Sequence, residues 1–169
     1  MASGRSTQLT KQVGEYLVAA ELCRRGFIAA TFTGNVPHYD IIASDACGHH
    51  AAIQVKTSRG NSWHFKVSEF VTIMRQGKRQ IVGLALRPPY PRLLYVFVRL
   101  ADDGGDQFFL LTWNHLQRMI VDDYKRYLAR HGGVRLHNPE SMHTVVRLKD
   151  LKRHHNKWTL IERRLQANL

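Results

Sequence analysis

With 169 residues, 44% of them hydrophobic and 9% aromatic, the chain has the size and composition of one folded domain over 1–169 with a real core, which excludes disorder. No apolar run approaches the roughly 18 residues a bilayer span needs, and "MASGRSTQLTKQVGEY" lacks the apolar centre of a signal peptide, so a soluble, cytoplasmic protein is expected. The net charge of +12, from 25 Lys and Arg against 13 Asp and Glu, favours a polyanionic partner, nucleic acid ahead of an anionic membrane.

In chain order, Leu9, Val13, Tyr16, Leu17, Ala20 and Cys23 recur at helical steps and predict a helix over Gln8–Arg25, capped by Thr7 or Thr10 and ended by Gly26. "FIAATFT" (27–33) reads as a strand and "GNVPH" as a loop. "YDIIAS" and "HAAIQVKTS", joined by the polar turn "DACGH", form a hairpin, and "SWHFKV" continues as a short strand. A helix is expected early in "SEFVTIMRQGKRQIVGLAL". "LLYVFVRL" and "DQFFLLT" are strands, and Thr112 caps a helix over Trp113–Arg130 that Gly132 and Gly133 terminate. A short strand near "HTVVRL" and a basic helical segment complete the chain. The expected fold is α/β, a mixed sheet flanked by helices, with a C-terminal helical elaboration over about 112–169.

The hairpin poses the functional question. Asp40 opens one strand, and Gln54 and Lys56 project from one face of the next, opposite to Ile53, Val55 and Thr57. Charge on central strands is costly to bury. Two readings are open on these residues alone. One is a structural Asp40–Lys56 ion pair with Gln54 beside it. The other is a site in which Asp40 and an amide oxygen hold a hard divalent cation while Lys56 stabilises developing negative charge, the combination that phosphodiester hydrolysis requires.

The order "GEYLVAAELCRRGF", "PHYDII", "IQVKT" resembles the PD-(D/E)XK nuclease superfamily, whose core is a helix, a strand and a hairpin carrying Asp and the (D/E)xK tripeptide. The likeness extends to archaeal Holliday-junction-resolvase-like members, where a helix glutamate stands about three turns before a Gly-Phe, as Glu15 stands before Gly26 and Phe27. It covers residues 8–58 and is thin beyond them. The resemblance implies a restriction-endonuclease-like core of helix, strand, hairpin, helix and strand. It implies Lys56 as catalytic lysine, with Asp40, Gln54, the Val55 carbonyl and Glu15 around Mg²⁺ or Mn²⁺, the last directly or through water. Glu21, about 120° further around the helix, is expected to pair with Arg24 or Arg25 instead. Gln54 stands where the superfamily carries an acid, which lowers the expected metal affinity; the QxK form resembles that of modified-DNA restriction enzymes. The implied activity is an endonuclease acting on DNA in repair, recombination or restriction. The alternative is an inactive nucleic-acid-binding module or assembly subunit on the same fold. Cutting two strands makes a homodimer an expectation as well.

Around this core, Thr57, Ser58 and Arg59 follow the lysine and are candidates for phosphate contact, as are Lys152 and Arg153 in "LKRHHNKW". Trp158 is expected in the core, His38 at the surface, and Lys11 as a solvated charge. Cys47, His49 and His50 offer a metal-ligand alternative that a polar hairpin tip explains equally well.

Overall fold

The computed structural model describes residues 4–32 and 37–166. Helix α1 spans Gly4–Arg24, starting upstream of the expected Gln8, so that Thr7 and Thr10 lie inside it rather than capping it. Its end follows the sequence. Gly26 takes φ +83°, and the N–H groups of Gly26 and Phe27 donate to the carbonyls of Cys23 and Leu22 at 3.0 and 3.1 Å, closing a Schellman turn.

Five strands form the main sheet: β1 (Ile28–Thr31), β2 (Ile41–Ser44), β3 (His50–Ser58), β7 (Leu94–Arg99) and β8 (Gln107–Thr112), in the order β1-β2-β3-β7-β8. All neighbours are antiparallel except β3 and β7, so the sheet is mixed, as expected. Residues 33–36, the end of the predicted first strand and most of the loop after it, lie outside the described residues.

Alternation along β3 sends Ile53 and Val55 to one face, against Val18 and Leu22 of α1 and against Trp158, Ile161 and Leu165 on and beside α4 (Thr159–Gln166). The other face carries Ala52, Tyr95, Phe97, Phe109 and Leu111 against Phe65, Phe70 and helix α2 (Trp113–Arg130). The central strand β7 is therefore buried from Leu94 through Val98, as a strand covered on both sides must be. Thr112 caps α2 as predicted, its hydroxyl accepting from the His115 N–H at 3.2 Å. Trp158 belongs to the core, beneath the Arg25 guanidinium, which stands 4.3 Å from its ring centre.

Two larger expectations also fail. The helix expected early in 68–86 is absent. A single 3-10 turn (Val67–Glu69) leads into β5 (Val71–Gln76) and β6 (Arg79–Ala85), an antiparallel hairpin turned by Gly77 at φ +58°. Val71, Thr72, Ile73, Ile81 and Val82 are β-branched, and Gly at the first position of a two-residue loop suits a hairpin turn, so local chemistry overrides the apolar spacing. The crossover from β3 to β7 thus runs through this hairpin and through β4 (Ser62–Lys66), which pairs with β9 (His143–Arg147) in a second small sheet ahead of the one-turn α3 (Leu148–Leu151).

The second failure is the orientation of α1. Leu9, Val13 and Tyr16 of the predicted apolar stripe are exposed, and the face against the sheet is Gly14, Val18 and Leu22. Gly14 explains this. A Cβ built on it would stand 1.8 Å from Thr57 Oγ1, so only a glycine lets the helix backbone approach β3 this closely.

Candidate active site

Asp40 lies just before β2, and its N–H donates to the carbonyl of Ile53, the register partner of Ile41, at 2.8 Å, so that Asp40 and Ile41 both oppose Ile53 and the regular ladder ends here. Its Oδ2 accepts from the Val55 N–H at 2.8 Å and from the Gln54 amide nitrogen. In a strand, the N–H and C=O of one residue point to the same edge. The Val55 carbonyl therefore faces the Asp40 side, where β2 has already ended.

The close approach at Gly14 places the next residue, Glu15, beside this corner. Lys11, one helical turn earlier, brings its Nζ to 3.4 Å from Glu15 Oε1 and 3.4 Å from Asp40 Oδ1. Two carboxylates from different elements, 9% and 15% exposed at their side chains, thus share one ammonium that is 47% exposed. Burial and then the Asp40 charge push the Glu15 carboxyl above its ordinary range, against the pull of Lys11. Burial alone would lower the Lys11 ammonium, but Asp40 and Glu15 outweigh it and the net shift is upward. Tyr95, paired with Gln54 in the β3–β7 register, has its phenol pushed up by burial and then by the charges of Glu69 and Asp40, so it stays neutral at physiological pH.

Lys56 follows Gln54 on the same face, and its ammonium stands 5.6 Å from the centre of the Phe65 ring. The Asp40–Lys56 ion pair of the purely structural reading does not form: the cation on Asp40 is Lys11. The expectation that Lys11 is merely solvated is corrected with it. Glu21 behaves as expected, pairing with Arg25 and, at 2.8 Å, with Arg24.

A hard divalent cation fits this donor set. The Asp40 carboxylate, the Glu15 carboxylate and the Val55 carbonyl edge are oxygen donors, and the Lys11 ammonium between the two carboxylates shows that positive charge is accommodated there. Gln54 is turned the other way, donating its NH₂ to Asp40; its oxygen becomes a ligand only if the amide flips.

The predicted phosphate contacts are dispersed. Thr57 Oγ1 is buried against Gly14, on the face opposite to Lys56, and is corrected from phosphate contact to helix packing. Ser58 Oγ accepts from the Gly60 N–H at 3.0 Å, and Arg59 pairs with Asp102 at 3.5 Å. Lys152 and Arg153 line a cavity of about 500 Å³ between α2 and the β9–α3 segment. Arg153 also donates to His154 and reaches His115, each at 3.1 Å, and the His154 imidazole is lowered to about 4 by burial and the neighbouring cations and histidine.

At the β2–β3 tip, the ligand atoms of Asp45, Cys47 and His49 lie within 4.8 Å of one another, whereas the expected set had His50 in place of Asp45. Asp45 is occupied by the turn itself, accepting from the N–H groups of Cys47 and His49 at 2.9 Å and lying 2.8 Å from the His49 ring nitrogen.

The sequence reading missed Gly14 and Lys11. A glycine in the middle of a helix costs about 1 kcal/mol relative to alanine, and that cost, directly before the glutamate, is the signal that marked a close backbone contact.

No family model matches this chain, and no curated protein matches it. Among solved structures, the chain is similar to that of a bacterial homing endonuclease, I-Ssp6803I. The TM-score is 0.52 over 96% of this chain and 95% of that one, at 12% sequence identity. At this identity the likeness is one of fold: both share a mixed α/β architecture along nearly their whole length.

Proposed function

We propose that the chain is a metal-dependent endonuclease of the PD-(D/E)XK type, hydrolysing nucleic-acid phosphodiesters, DNA before RNA, in repair, recombination or restriction. The observation that carries this reading is the convergence on Asp40 of groups from two separate elements: Lys11, with Glu15, from α1, and Gln54 and the Val55 backbone edge from β3. Lys56 lies on the same strand face. The fold shared with a homing endonuclease and the net charge of +12 support it.

Asp40, Glu15 and the Val55 carbonyl would hold Mg²⁺ or Mn²⁺, with Gln54 joining if its amide turns. The ion, when bound, supplies Lewis-acid polarisation of a phosphoryl oxygen and a water of lowered pKa. Gln54 and the Val55 N–H fix the orientation of the Asp40 carboxylate. Lys56 places an ammonium where charge grows on the phosphoryl oxygens as water attacks. A new P–O bond forms, the bond to the leaving sugar oxygen breaks, and the proton lost by water balances the one gained there. Two copies acting together would cut both strands of a duplex.

The test is cleavage of end-labelled linear, supercoiled and branched DNA with Mg²⁺, Mn²⁺ or EDTA. The expected result is cutting that EDTA abolishes. Salt-dependent binding without cutting on any substrate would make the chain a binding module instead.

A further inference from the structure

Lys11 is in an unusual position for a surface lysine. Its ammonium stands 3.4 Å from carboxylate oxygens of both Asp40 and Glu15, the two acidic groups of the proposed metal site. Both carboxylates are mostly withdrawn from water, whereas the lysine remains 47% exposed. Two such carboxylates repel unless a positive charge lies between them, and in this arrangement that charge comes from the chain itself.

We infer that Lys11 is the resident counter-ion of the corner and a positioning residue for cation loading. In the free protein its ammonium holds Glu15 and Asp40 together, which keeps the oxygen donors gathered and makes a divalent cation compete for them. The long, half-solvated stem gives the ammonium a way out into water. A phosphate of bound nucleic acid is a ready new partner for it. Cation and polyanion therefore load cooperatively: the phosphate takes the ammonium as the cation takes the carboxylates, and each tightens the binding of the other. The neutral Gln54 is consistent with this arrangement, since a third carboxylate there would favour a cation whether or not nucleic acid was present. The inference rests on the nuclease reading of the corner.

The experiment is titration of the full chain with Mn²⁺, following free Mn²⁺ by electron paramagnetic resonance, without nucleic acid and then with a duplex carrying non-hydrolysable linkages. The proteins are wild type, Lys11→Met, Lys11→Gln and Lys11→Met/Asp40→Asn, each checked for folding by circular dichroism; the Gln variant serves if the Met variant does not fold. Removing one unit of positive charge beside two carboxylates should tighten Mn²⁺ binding about tenfold in the free protein. Adding Asp40→Asn should abolish that gain. The duplex should tighten Mn²⁺ binding several-fold in wild type and much less in the Lys11 variants. Mn²⁺ affinity in the variants no greater than in wild type, with cleavage still metal-dependent, would overturn the role of Lys11 and leave the nuclease reading standing. No Mn²⁺ bound by any of the proteins would overturn both.

Discussion

Two aspartates close together in the sequence have opposite situations. Asp45 spends its carboxylate within its own turn, on Cys47 and His49. Asp40 gathers its partners from afar: Lys11 on α1, and Gln54 and Val55 on β3. Local satisfaction is what an Asx turn needs to pin a hairpin tip. Partners recruited from separate elements serve no turn, and they converge on the edge where a backbone carbonyl also faces outward. Range of convergence, more than the count of ligand-type residues, distinguishes the proposed site from the hairpin tip.

Substituting the two aspartates in turn puts that contrast to the test. Asp40→Asn should lower metal-dependent cleavage by about 10²–10³-fold, whereas Asp45→Asn should leave it within about twofold, measured in single-turnover assays. Equal losses in both would erase the distinction. The approach of α1 is the next lever. Gly14→Ala gains helix propensity but collides with Thr57, and a net loss of about 1–3 kcal/mol is expected in urea unfolding. Adding Thr57→Ala should restore part of it, and no coupling between the two would mean the contact does not set the helix position. At the tip, Asp45→Ala should lower the urea midpoint by less than Gly14→Ala does, since it strips two partly solvated backbone N–H groups of their acceptor.

The smallest effect is one of sign. Glu15 has its carboxyl raised in the folded state, so the folded protein holds its proton to higher pH than the unfolded chain does. Its contribution is full below the unfolded value of about 4.3 and is lost as pH rises through the raised folded value. Asp45 is lowered, chiefly by the bond with His49, so its contribution is full above about 3.9 and is lost as pH falls. Melting temperature followed from pH 3 to 7 should thus be flattened in opposite directions by Glu15→Gln and Asp45→Asn. Shifts of the same sign would contradict the assignment of the two environments.

The strands of the main sheet, the helix from Trp113 and the Schellman end of α1 were legible because each has a local cause: β-branched runs, a threonine cap, a glycine at positive φ. Gln54 and Lys56 were legible as residues of one strand face, which follows from alternation, and the nearness of Asp40 to Gln54 followed from its place beside the hairpin. The side of α1 that meets the sheet was not legible, because periodicity counts apolar side chains and the tightest contact is made by Gly14, which has none. Lys11 escaped for a related reason. Nothing local distinguishes it from a solvated lysine until α1 is docked beside Asp40. The start of the hairpin at 71–85 was misread as helical because its apolar spacing suits either element, and only the β-branched content and Gly77 decide.

Whether the corner does chemistry on nucleic acid turns on Lys56. Cleavage of the preferred DNA substrate in Mn²⁺ should be measured in single turnover for wild type and Lys56→Ala, alongside DNA affinity in EDTA. The account predicts a rate loss of at least about 10²-fold with affinity retained within a few-fold. An unchanged rate, or a rate that falls only as far as affinity does, would contradict it.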